Sequence, residues 1–377
     1  LGTRSYTLLN IEGTLVAENR HHDSPLLALQ SFHQFENVNF EKNTGSGAMI
    51  MIEAPVVGES FASIENIIDA TRFIANTIRG DHGDVGLIVS SASVNLVDTY
   101  FDGNTVVLAG SAFGGVVVQL GQVLVVSNCS LHRSNIVSSQ TEQHNRAVIA
   151  TRGARLVELT DSTVSHFWPS AVMVHGSKSR GRRSSTTLRR EDGVSIANCT
   201  FSCLDLGSDR SGDVGIAVQL LAVHATLIDS NFADLRPAAT SPADAGAWGV
   251  LAEVYDLRGV DADERWNVAV ERCTFRNVSN PLRIMGLYNV SVSYSTFAYG
   301  GPLLALAATL HLDIERCSFI GNERSILIES VRDARYLPSV SVAHSNFTDN
   351  AAIEYAACLL LNSPQSHINI THSRFER

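Results

Sequence analysis

Along the chain, apolar and polar residues alternate in short runs, and the runs themselves repeat. Near the C-terminal end, Val268-Ala-Val-Glu-Arg-Cys-Thr-Phe275, Val290-Ser-Val-Ser-Tyr-Ser-Thr-Phe297 and Leu312-Asp-Ile-Glu-Arg-Cys-Ser-Phe319 are three versions of one sentence, spaced by 22 residues. In each, two apolar residues alternate with polar ones, two polar residues interrupt, and a small residue and a Phe resume the alternation. Period 2 puts successive side chains on opposite faces of a strand, so the pattern predicts strand, tight corner, strand, each burying one face. A period of this length, held along a chain, predicts stacked repeats.

With that sentence as a ruler, the terminal apolar residue recurs at Phe40, Phe73, Phe101, Leu131, Val164, Phe201, Phe232, Phe275, Phe297, Phe319, Phe347 and Phe375, at intervals of 22 to 43 residues. Each interval is too long for a hairpin return and holds further strands, such as Gly215-Ile-Ala-Val-Gln219. The reading is an all-β, right-handed parallel β-helix of about twelve coils, each of three short strands, with little or no helix. Two residues before each Phe the row is mostly small, with Thr99, Cys129, Ser162, Cys199, Ser230, Cys273, Ser295, Cys317, Ser345 and Ser373, as a void-free flattened interior requires. The corner between the strands carries Asn37, Asp98, Asn128, Asp161, Asn198 and Asp229, residue types that tolerate left-handed backbone, and these are read as turn residues and not as metal ligands. Residues 61–78 also fit a helical stripe. However, Ile68 to Ile78 lies over Val97 to Val106 with one inserted residue, which makes the segment another coil, with a helical cap as the alternative.

The repeat runs through residues 1–377 without a linker, so one continuous domain is expected, and the absence of a cap at either end suggests a fragment of a larger protein or a stacking protein partner at the open ends. No apolar run reaches the roughly eighteen residues of a membrane span. The net charge of −10 argues against nucleic acid as a partner. The exception is Lys178-Ser-Arg-Gly-Arg-Arg183 and the basic residues that follow, read as a solvated insertion, as a patch for acidic glycans carried by Lys178, Arg180, Arg182 and Arg183, or as a dibasic processing site. Cys129, Cys199, Cys273 and Cys317 share one inward row but never adjacent coils, and two coils exceed the roughly 7 Å between α-carbons that a disulfide spans, so buried free thiols are expected. Six N-glycosylation acceptors, at Asn128, Asn198, Asn277, Asn289, Asn346 and Asn369, are compatible with secretion.

Phe-x-x-Asn at Phe40, Phe73, Phe101, Phe319 and Phe347, with Gly114-Gly115-Val116-Val117, resembles the repeats of polymorphic outer-membrane, adhesin-type proteins. More broadly the chain is similar to the pectin-lyase-like superfamily of β-helices. The resemblance implies an extracellular or cell-surface location and a role in adhesion, glycan recognition or scaffolding, without a cofactor. The superfamily's hydrolases offer the alternative of a lyase or glycoside hydrolase acting on an acidic polysaccharide. Their motifs are incomplete here: Ser211-Gly212-Asp213-Val214 has Val214 where a second catalytic Asp belongs, and Arg283-Ile284-Met285 has Met285 in place of a Lys.

Long insertions at 54–62, 177–192, 256–265, 331–338 and 362–366 all fall between the same two strands of their coils, which marks one corner as the expected binding wall. Beside it, Gln119, Thr151, His175, Gln219, Glu253 and Arg283 are expected to form one outward polar row at about 4.8 Å per coil. Gln119, Thr151 and Gln219 would contribute binding contacts. For β-elimination, His175 or Glu253 would be the base and Arg283 the cation on the sugar carboxylate.

Overall fold

The computed structural model describes residues 9–22, 24–29, 33–54, 65–138, 146–167, 169–176, 193–202, 215–221, 223–235, 247–253, 266–286, 288–301, 303–306, 311–323, 326–329, 339–351, 359–362 and 367–376. Among these residues the ordered elements are strands, and every strand pairing is parallel. Among the described residues no helix is long and apolar enough to cross a membrane. The chain divides into two compact units, Leu1–Asp192 and Gly193–Arg377, each a right-handed parallel β-helix.

One coil of the first unit shows the plan. Ser93–Val97 lies in sheet A, Tyr100–Asp102 in sheet B, Thr105–Leu108 in sheet C and Phe113–Leu120 in sheet D, and each pairs with its counterparts one coil before and one after. The expected three strands per coil therefore become four in most of this unit, and its last coil, Leu156–Thr160, Thr163–Ser165 and Ser170–His175, returns to three among the described residues. In the second unit, Trp266–Glu271, Thr274–Arg276 and Asn280–Met285 occupy sheets A, B and D, and the coil has three strands among the described residues.

The Phe-x-x-Asn signature marks the bend at which the chain leaves sheet B. Asn43, Asn76 and Asn104 are fully buried where the chain leaves sheet B. The Asn76 side-chain amide donates to the Phe40 carbonyl at 2.9 Å and its oxygen accepts the Asn43 backbone N–H at 3.0 Å. Asn104 does the same one coil on, toward Phe73 and Asn76. Each Asn thus satisfies backbone groups that a bend would leave orphaned in the interior, and does so for the coil before its own. Asn322 and Asn350 repeat the device in the second unit.

Inside, the recurring phenylalanines stack face to face. Phe40, Phe73 and Phe101 lie 4.9 and 4.8 Å apart with rings within 5° of parallel. In the second unit the stack runs from Phe201 to Phe375 at 4.6 to 5.0 Å. Such pairs are worth about 0.5–1.5 kcal/mol beyond their burial. Residues 65–78 belong to this stack: Ile68 stands across from Leu96 and Phe73 from Phe101, so the segment is strand and not helix.

The small row is as expected. Cys129, Cys199, Cys273 and Cys317 are buried, and Ser295 separates Cys273 from Cys317: Cys273 N–H donates to Ser295 Oγ at 3.1 Å, and Cys317 N–H donates in turn to Ser345 Oγ at 3.2 Å. Burial pushes the Cys129 thiol up to about 12 and those of Cys273 and Cys317 to about 11. All six corner Asn and Asp residues have φ between 49° and 54°, the left-handed region their side chains tolerate.

Candidate functional site

Sheet D differs from its neighbours. Sheet A strands bury alternate residues, as in Val123–Ser127, whereas Trp248–Glu253 is buried throughout and Phe113–Leu120 nearly so. Both faces of these two strands are therefore largely covered, and the period-2 signal vanishes from their sequence. The expected insertions all leave sheet D and enter sheet A. Most of their length, with Lys178, Arg180, Arg182 and Arg183, lies outside the described residues. The chain also lengthens on the way into sheet D, at 203–214 and 236–246, which the sequence reading did not include.

In the first unit, the strand Phe113–Leu120 folds on itself. A Cβ added at Gly115 would lie 3.3 Å from the Ala150 Cβ and 2.2 Å from the Ala147 carbonyl oxygen, yet Ala150 stands across from Val118, three residues further on. The absence of a side chain at Gly115 is what allows so tight a bend. On its concave side Phe113, Val118, Ala147, Ala150 and Met173 pack into an apolar floor. Arg152, two residues beyond Ala150 and so on the same face, is exposed, which identifies this face as the outer one.

Three polar side chains stand over that floor. The Arg152 guanidinium lies over the Phe113 ring, 4.1 Å from its centroid, and His175, across from Arg152 in the next strand, meets the same ring edge-on at 5.9 Å. Asp84 stands across from Phe113. Burial pushes its carboxyl above the ordinary range, and the Arg152 charge pulls part of the way back. Asp84 Oδ1 is buried without a hydrogen-bond partner.

The second unit builds a parallel arrangement. The Arg283 guanidinium lies 4.6 Å from the Trp248 ring centroid. Arg283 stands across from Leu251, and alternation puts Leu251 and Glu253 on one face of the same strand, so Arg283 and Glu253 are diagonal neighbours on adjacent strands. Burial pushes the Glu253 carboxyl upward, opposed by the Arg283 charge. A Cβ at Gly249 would meet Phe275 Cδ1 at 3.1 Å, so the strand lies close against the Phe stack at that point.

The single polar row expected from the sequence is not present. Gln119 stands across from Thr151, but Thr151 stands across from Val174, and His175 from Arg152. In the second unit Gln219 is in register with Leu251 and Arg283, whereas Glu253 is in register with Leu221 and Met285. Gln119 and Thr151 are fully buried on the inner face, opposite to that of Arg152, and Gln119 Nε2 donates to the Ala92 and Gly121 carbonyls, closing the turn after its strand. Gln219 shares the face of Arg283 but has no exposure. The bend and the two-sided burial account for the error, because neither leaves an alternation from which inside and outside can be told. The reading missed Asp84, Phe113, Arg152 and Trp248. The usable signal was an aromatic residue opening a sheet D strand with an arginine in the next.

No protein-family model matches the chain, and no curated protein matches it. Among solved structures, the chain is similar to the crystal structure of bacteriophage CBA120 tailspike protein 3, with 10% identity and a TM-score of 0.38, over 97% of this chain and 56% of that one. The chain thus spans little more than half the length of that protein.

Proposed function

We propose that the protein is an extracellular or cell-surface module that recognises acidic glycans without covalent chemistry. The observation that supports this reading is the Arg283 guanidinium held over Trp248 beside Glu253 on the outer face of sheet D. A guanidinium oriented by an aromatic ring presents a planar fork of donors suited to a carboxylate or sulfate. The neighbouring carboxyl, with its raised affinity for a proton, is suited to hydroxyl groups as acceptor or donor. The insertions that flank sheet D on both sides supply the loops that recognition surfaces use. The adhesin-type repeats and the pectin-lyase-like superfamily are the protein classes this reading fits.

The raised Glu253 carboxyl also favours a second reading, a lyase or hydrolase of acidic polysaccharide, in which Glu253 moves the proton and Arg283 binds the sugar carboxylate. One experiment separates the two. Polygalacturonate and alginate are immobilised for binding and, in parallel, incubated with the protein while unsaturated and reducing ends are followed. Recognition predicts saturable binding that Arg283→Ala weakens, with no new chain ends. Cleavage that Glu253→Gln abolishes would establish the enzyme, and the absence of both binding and cleavage would overturn both readings.

A further inference from the structure

In the row of left-handed corners between sheets A and B, Gly13 and Ala70 lack a reaching side chain among the described residues, and Ala70 lies between two corners that carry one. In the first unit, Asn37, Ala70 and Asp98 occupy this corner on three successive coils, all at positive φ. Asn37 and Asp98 carry side chains out over the corner, and Ala70 does not. On the adjoining strands Asn39, Arg72 and Tyr100 stand in register with one another. These six residues line an open hollow of about 600 Å3. Its lining spans three coils, about 9.6 Å along the stack at the usual strand spacing.

The lining is chemically mixed. Arg72, exposed at the centre, is flanked by the amide of Asn39 and the ring of Tyr100. Tyr100 is braced by the His132 ring at 5.8 Å. Asp98 is held by Asn128, whose side-chain amide donates to Oδ1, and a carboxylate has a second oxygen to accept with. Asn37 and Asn39 each add a donor and an acceptor. We infer that this hollow binds a single carboxylate-bearing sugar residue, with the carboxylate on the Arg72 guanidinium, ring hydroxyls on Asp98, Asn37 and Asn39, and the sugar edge against Tyr100. A guanidinium can take the carboxylate through two parallel hydrogen bonds, and the hydroxyls need both donors and acceptors, which this lining supplies. The site is separate from the Trp248–Arg283 cluster and does not require it.

The test uses D-glucuronate and D-glucose as probes, with binding read by saturation-transfer NMR and calorimetry on the full chain. Glucuronate should bind saturably and glucose at least about tenfold more weakly. Ala70→Tyr should abolish glucuronate binding without changing the unfolding midpoint, because the same corner in the second unit carries Tyr294 at φ 52°. Arg72→Gln should reduce glucuronate binding to the level of glucose, which gives a second reading should Ala70→Tyr disturb the fold. All measurements are repeated in the Arg283→Ala background, so that the acidic-glycan site cannot contribute to the glucuronate signal. A glucuronate-ended oligosaccharide that binds more tightly than the free sugar would place the ligand at the end of a glycan, and equal affinity would make it the free sugar. In that background, saturable binding that survives both Ala70→Tyr and Arg72→Gln would overturn the inference, as would no glucuronate binding at all. Failure of the recognition reading is a different result, namely polygalacturonate and alginate binding that is absent or insensitive to Arg283→Ala.

Discussion

The two arginine–aromatic clusters share a plan and differ in where the carboxyl sits. In the first unit Asp84 stands at the ring end, across from Phe113, and the cation is exposed. In the second, Glu253 stands at the arginine end and the cation is half-buried. The common part is what the bent sheet D strand dictates: an aromatic residue at its start, an apolar concave face, and a long cation reaching back from the next strand. A cation over a ring is worth about 0.5–1 kcal/mol when exposed and about 2 when desolvated. The second cluster therefore holds its guanidinium more firmly, and it is the one we assign to recognition. The scaffold sets the platform, and the identity and depth of the charges on it set what the platform can hold.

The largest effects concern the platforms. Phe113 and Trp248 are 1% and 8% exposed, so Phe113→Ala and Trp248→Ala should each cost about 3–5 kcal/mol in urea unfolding followed by circular dichroism. A loss below about 1 kcal/mol for Trp248→Ala alone would break the parallel and leave Trp248 as a ligand contact and not a support. Next come the cations. Arg283→Ala should weaken acidic-glycan binding at least about tenfold, or about 1.4 kcal/mol. Arg152→Ala should cost under about fivefold, because an exposed ion pair contributes at most about 1 kcal/mol. Arg283→Lys should recover only part of the loss, since it keeps the charge without the fork.

The smallest effect is on pH dependence. Asp84 and Glu253 both have carboxyls raised by burial. Such a group binds its proton more tightly folded than unfolded, so its contribution to stability is fully present below the unfolded pKa and is lost as pH rises through the folded one. Stability should decline across the window just above the ordinary carboxylate range. Glu253→Gln and Asp84→Asn should each flatten that decline, as measured by thermal midpoints from pH 4 to pH 8. Arg283→Ala should move the Glu253 limb to higher pH, because it removes the opposing charge.

Much of the fold could be read from the sequence because sheets A and B bury one face each. The Phe row, the Cys and Ser row and the left-handed corners all announce themselves by period and residue type. The Asn of Phe-x-x-Asn was visible as a signature but not as a ladder, since its role depends on reaching carbonyls a full coil away, such as Phe40 from Asn76. Sheet D could not be read in this way. Val116, Val117 and Val118 are all fully or almost fully buried, so nothing in their order distinguishes inside from outside. An error of one position there turned Gln119 and Thr151 outward. Ala70 is illegible for a different reason: its significance lies in what its neighbours on adjacent coils have and it lacks.

The alternation of thiol and hydroxyl along the small row has a bearing on how the protein is made. Cys273 and Cys317 are kept apart by Ser295, and Cys129 N–H donates to the Ser162 hydroxyl, with no second thiol beside it. Cys129, Cys273 and Cys317 each have a serine hydroxyl beside them in the row where a second thiol would have to stand, so for these three residues folding forms no cross-link along the row.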